Sequence, residues 1–146
     1  MLPLDLTQRA PRSPYEELDG LMLLPRTIDK IRALLPGGAA NGYFINGTIQ
    51  GLSGFLLERL GVNEDELRDV VCHAADDDDV AAWLRTRVDV SIYPALNATL
   101  QRIEPRHAED PGKVRAEYAE ILAKQPELRT IFDILDADDR LRYAKP

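Results

Sequence analysis

The stretch Leu21–Leu35 reads LMLLPRTIDKIRALL, and it sets the fold class of the chain. Pro25 suits the first turn of a helix, where its fixed φ fits and its missing N–H loses no bond. Leu24, Ile28, Ile31 and Leu35 then recur at four, three and four residues. This is one face of an α-helix, and it predicts a buried apolar stripe. Pro36-Gly37-Gly38 stops the helix. Between the apolar positions stand Arg26, Thr27, Asp29, Lys30 and Arg32. Asp29 is three residues from both Arg26 and Arg32 and pairs with either at helical spacing. Arg26 and Lys30 are four apart and repel unless an anion lies between them. The simpler reading is a solvated charged flank. The sharper one is an anion pocket lined by Arg26 and Lys30.

Outward from this helix the chain changes character. Residues 1–20 hold Pro3, Pro11 and Pro14 with Arg9 and Arg12, which predicts an extended N-terminal arm. Leu2, Leu4 and Leu6 alternate along it and offer a face that docks on the body. Tyr15–Leu18 is read as a turn of helix before Gly20. Residues 36–54 contain six of the nine glycines, a glycine-rich loop. Within it Asn46-Gly47 sits between Tyr43-Phe44-Ile45 and Thr48-Ile49, the signal for one small hairpin. No strand precedes Gly37 and no lysine follows at P-loop spacing, so an irregular loop shaped by turns is favoured over a phosphate loop.

The rest of the chain reads as short helices. Leu52–Leu60 is closed by Gly61. Asn63 caps a second helix, with Glu66 three residues on. Asp76–Asp79 supplies the acidic start of a third, in which Val80, Trp83 and Leu84 face inward. Val88–Ile103 follows, with Pro94 setting where its helix begins. Asp110 caps another, with Pro111 at its first position. Pro126 is taken as the start of the last. The expectation is a mainly helical, all-α fold: one compact domain over 1–146, a bundle of about six or seven short helices.

Composition narrows the function. The net charge is −7 and the pI about 4.8, which speaks against nucleic acid, since phosphate binding needs a basic face. Cys72 is the one cysteine, so no internal disulfide forms. The first residues lack a secretory h-region, and the longest apolar run is too short for a membrane span. The simplest home is the cytoplasm. No metal is expected: the aspartates at 76–79 are consecutive, and His73 and His107 fall on separate elements. No cofactor signature is present, and no nucleophile–base pair decides whether the protein is an enzyme.

DLTQRAPRSP at 5–14, LLPRTIDKIRA at 23–33, DDDDVAAWL at 76–84 and FDILDADD at 132–139 give the chain a further likeness. It resembles a bacterial family of unassigned function, catalogued as domain of unknown function number 5069. The resemblance implies a small, mainly helical protein, and it supplies no reaction and no catalytic residues. It is carried most weakly by residues 36–54 and 104–125. It draws attention to Arg12, Arg26, Asp29 and Lys30, which lie inside the matching motifs.

These four residues form the candidate ligand site. The arm is expected to fold back over the 25–35 helix, with Asp29 accepting from Arg12, Arg26 or both. Two functions follow as expectations. The first is a helical binding or regulatory module, including as a homo-oligomer. The second is a small-molecule enzyme or sensor that holds an anionic ligand near the 25–35 helix, between that helix, the arm and the glycine-rich loop.

Overall fold

Leu24–Ala33 forms helix α1, with Pro25 in its first turn and Leu23 as its N-cap at a φ of 72°. The computed structural model describes residues 1–144. Seven further helices follow: α2 (Leu52–Leu60), α3 (Glu64–His73), α4 (Asp77–Arg87), α5 (Tyr93–Arg102), α6 (Pro111–Glu117), α7 (Ala119–Lys124) and α8 (Ile131–Arg142). Short 3-10 turns at Val90–Ile92 and Pro105–His107 lead into α5 and α6. The protein is therefore mainly helical, with one small two-stranded hairpin, β1 (Glu17–Leu18) and β2 (Leu21–Met22).

That hairpin is not where the sequence placed it. It turns at Asp19-Gly20, with φ of 54° and 81°, the left-handed pair that a two-residue primed turn requires. Tyr15–Leu18 accordingly forms a turn and then a strand, not a turn of helix. The glycine-rich segment carries two isolated bridges, Asn46 to Gln50 within itself and Ala39 to Asp5 of the arm. Its tight turn is Asn41-Gly42, with φ of 50° and 84°. The hairpin is tied down from two sides. Asn97 of α5 donates to the Gly20 carbonyl at 2.8 Å and accepts from the Met22 N–H at 2.9 Å. Asp19 holds Arg85 of α4 through two hydrogen bonds of 2.5 and 2.7 Å.

Several helix starts follow the capping chemistry of the sequence. Asn63, Asp76 and Asp110 each accept the backbone N–H three residues on. Pro94 falls in the first turn of α5, as its fixed φ dictates. The last helix begins later than Pro126: Thr130 caps it through the Asp133 N–H, and α8 runs from Ile131.

The core is built on α1. Leu24, Ile28, Ile31 and Leu35 are buried and meet Leu56, Leu67, Val71 and Phe132 in one apolar cluster. Helix α1 packs on α2, α3 and the hairpin. The arm lies along it: Leu4 N–H donates to the Arg32 carbonyl, and Leu6 N–H donates to the Ala39 carbonyl. Leu6 is fully buried, Leu4 half-buried and Leu2 exposed, so the face these leucines share docks only at its Leu6 end.

The polar flank of α1 is not solvated. Arg26, Thr27 and Asp29 are fully buried, and Lys30 is 7% exposed. This corrects the simpler expectation of a charged surface. The helix is enclosed by the arm, the glycine-rich segment and α8, so its charges find partners on those elements and not in water. Among the described residues, no helix is long and apolar enough to cross a membrane.

Candidate functional site

Three polar groups of α1 meet three different partners. Asp29 receives the arm. The Arg12 backbone N–H donates to its Oδ2 at 2.8 Å, Arg12 Nε donates to the same oxygen at 3.2 Å, and Arg12 Nη2 donates to Oδ1 at 3.1 Å. Arg12 spans further, to Asp77 in the first turn of α4 at 2.6 Å and to the Pro25 carbonyl at 3.2 Å. Arg9 and Arg32 stand at the edge of Asp29, at 3.7 and 4.0 Å. Burial opposes the charge of Arg12, but Asp77 and Asp29 outweigh it and hold the guanidinium charged.

Arg26 turns to the other end of the chain. Its Nη1 donates to Asp139 Oδ2 at 2.6 Å and its Nη2 to Oδ1 at 3.3 Å. The Tyr43 hydroxyl donates to the same carboxylate at 2.7 Å, and the Arg26 guanidinium lies 5.5 Å from the Tyr43 ring centroid. Burial, then the Asp139 carboxylate, pushes the Tyr43 phenol well above the ordinary tyrosine range. Arg26 Nε is buried without a hydrogen-bond partner among the described residues.

Lys30 points at the glycine-rich segment, where its ammonium donates to the Phe44 carbonyl at 3.2 Å. No carboxylate of the described residues lies in salt-bridge range of it. Burial, with the nearby positive charge of Arg26, pushes its pKa down to about 7, and Asp139 only partly offsets this.

Thus the structure joins Arg12 to Asp29 directly, ties Arg26 to the Arg12 carbonyl at 3.2 Å while pairing its charge with Asp139, and sends Lys30 to a separate partner. Asp139, Asp77 and Tyr43 complete the layer and were not singled out from sequence. A signal for Asp139 existed: it falls four residues after the core position Leu135 and seven after Phe132, on the apolar stripe of α8. A carboxylate on such a stripe demands a buried cation. Nothing in the run Asp76–Asp79 marks Asp77 as the partner of Arg12.

The open space lies elsewhere. One groove of about 800 Å³ runs between the glycine-rich segment, α2, the end of α5 and α6. Its apolar surface comes from Ile49, Leu52, Phe55, Ile103, Val114 and Ile131, and its rim from Gln50, Glu58, His107, Glu109, Asp110 and Lys113. Tyr118 also lines it. Its phenol makes no hydrogen bond among the described residues, and burial pushes its pKa up to about 12 against the opposing charge of Arg26. A second, more open hollow of about 790 Å³ lies on the far side of His107, with Arg102, Arg106 and Arg129 facing Glu104, Glu127 and Asp133. Neither space is lined by Arg12, Arg26, Asp29 or Lys30.

His107 separates the two hollows. Its Nδ1 accepts the Glu104 N–H at 3.0 Å, which puts the ring hydrogen of the neutral form on Nε2. Cys72 is exposed at the end of α3, and no cluster of three or more metal-ligating side chains occurs among the described residues. The groove thus offers apolar area with a few polar groups around it, the composition of a small-molecule site.

A family model described as Domain of unknown function (DUF5069) matches residues 8–141, nearly the whole chain. No curated protein matches.

Proposed function

The chain belongs to the family of that model, and from this premise we propose that it is a small-molecule-binding module whose ligand sits in the groove between the glycine-rich segment and α6. The observation that carries this reading is the groove itself, about 800 Å³ with an apolar wall from Leu52, Phe55, Ile103, Val114 and Ile131. Tyr118, half-buried, lines it too, with a phenol that makes no hydrogen bond among the described residues. The groove size falls in the usual range for organic ligands.

The ion layer around α1 is scaffold in this reading. Arg12 and Arg26 are each engaged in paired contacts with carboxylates, so neither is free for an incoming anion. An anion there would have to displace Asp29 or Asp139 from arginines that need them. The layer instead ties the arm, α1, α4 and α8 together, and it fixes the glycine-rich segment through Tyr43 and Phe44. That segment is one wall of the groove.

The test is a fragment screen by ligand-observed NMR on the intact chain and on Ala108→Trp, which fills the groove from its wall. Circular dichroism first establishes that the variant is folded. Fragments that bind the natural chain and are lost in Ala108→Trp support the groove. Fragments that bind both equally, or no fragment binding at all, overturn it.

A further inference from the structure

We propose that the groove selects organic cations, amines with an apolar body, over neutral or anionic molecules of the same shape. This inference rests on the groove being the binding site and names the class of ligand.

The two hollows beside His107 differ in charge. In the open one, three arginines face three carboxylates and leave no net charge. In the groove, Glu58, Glu109 and Asp110 face a single cation, Lys113. The lining side chains carry an excess of two negative charges, reduced to one by the Arg59 guanidinium over Phe55, beside a low-dielectric apolar wall where field lines concentrate. The net charge of the whole chain, −7, adds in the same direction.

The carboxylates also have oxygen atoms to spare. Glu58 takes the Gln50 amide at 2.7 Å through Oε2 and leaves Oε1 unused. Asp110 holds the Lys113 N–H through Oδ1 at 3.1 Å and leaves Oδ2 unused. Glu109 has no hydrogen-bond partner among the described residues and stands exposed at the rim. An ammonium has three donors and fits such a set. An incoming carboxylate would meet three anions and one lysine. One face of Phe55 already carries the Arg59 guanidinium, 5.5 Å from its centroid. Recognition of the charge therefore falls to the carboxylates, and the ring supplies apolar contact.

Three probes of one shape separate the outcomes: phenethylamine, phenethyl alcohol and phenylacetate, titrated by two-dimensional NMR into the full chain. The expected result is saturable shifts at groove residues, with phenethylamine binding about three- to tenfold more tightly than the alcohol and phenylacetate most weakly. Glu58→Gln with Glu109→Gln should bring amine and alcohol together. Lys113→Gln should widen the gap between amine and acid, and both variants keep the apolar wall intact. If the alcohol or the acid binds as tightly as the amine, the cation inference falls while the groove stands. If none of the three shifts groove resonances and the fragment screen also finds nothing there, the groove reading falls, and the cation inference with it.

Discussion

Arg12 and Asp29 lie 17 residues apart in sequence and share three hydrogen bonds, one from the Arg12 backbone and two from its guanidinium. The carboxylate is fully buried, whereas the arginine side chain is 28% exposed. Removing Asp29 alone would leave a backbone N–H and a half-buried cation without their acceptor. Asp29→Ala is therefore expected to lower stability by about 3 kcal/mol, a fall in melting temperature on the order of 10 °C for a chain of this size. Arg12→Ala should cost less than removing Asp29, because its backbone N–H still serves the carboxylate. Thermal melts of both variants check the order.

The pair between Arg26 and Asp139 links α1 to α8 across 113 residues. Both single variants strand a buried charge, so Arg26→Met and Asp139→Leu should each destabilise by roughly 3–5 kcal/mol. The double variant strands neither charge and loses the Tyr43 contact to Asp139 and the Arg26 hydrogen bond to the Arg12 carbonyl. It should be far more stable than the sum of the singles predicts, with a coupling of about 2 kcal/mol or more in a denaturant cycle. Additive losses would mean that the two side chains do not stabilise each other.

The apolar stripe of α1 was legible because Leu24, Ile28, Ile31 and Leu35 state their own periodicity. The burial of Arg26, Asp29 and Lys30 was not, because their partners lie on α8, the arm and the glycine-rich segment. Local pattern carries no record of such distant contacts. The hairpin shows the opposite limit. Asp19-Gly20 and Asn46-Gly47 carry the same local turn signal, and the tertiary setting chooses between them: Asp19 gains Arg85, whereas the second site has only a single bridge. In α8 the cap signature at Thr130 and Asp133 was present and outweighed by the more visible Pro126. The groove was invisible from sequence, since its walls come from segments far apart in the chain, from Thr48 to Ile131.

Gly54 tests how tightly the groove wall is held. It lies inside α2, where alanine is intrinsically better by about 1 kcal/mol. A Cβ at this position would meet Asn46 Oδ1 at 2.1 Å and the Ile45 carbonyl oxygen at 2.9 Å. The Asn46 side chain can swing away, but the backbone carbonyl must move. Gly54→Ala should therefore destabilise by about 1–3 kcal/mol against its helix propensity. Gly112→Ala is the control: its Cβ meets only Asp110 Oδ1, at 3.5 Å, and a gain of a few tenths of a kcal/mol is expected. Melting temperatures that rise in both variants would show that the Ile45 segment yields freely.

Lys30 gives the chain a pH dependence whose sign is set by its burial. The ammonium is lowered from 10.5 to about 7 by desolvation first, then by Arg26, with Asp139 opposing. The unfolded chain therefore holds this proton more tightly than the folded one. Below about pH 7 both forms are protonated, and the folded state carries the full penalty of a buried ammonium with one carbonyl acceptor. Between about pH 7 and 10.5 the folded lysine is neutral while the unfolded one is still charged, so stability rises with pH across that window. At about 1.36 kcal/mol per unit, the whole effect is on the order of 4–5 kcal/mol, an upper bound. Lys30→Met removes the titrating group and leaves the Phe44 carbonyl without its donor, a loss of about 1 kcal/mol. The variant should still be more stable than the natural chain at pH 6.5, and the gap should close or reverse by pH 9.5. Melting curves of the two proteins at matched pH read this difference directly, because titrations elsewhere cancel between them. A gap that stays constant from pH 6.5 to 9.5 would mean that Lys30 keeps its proton in the folded chain throughout, held by a charge partner that the Phe44 carbonyl does not supply.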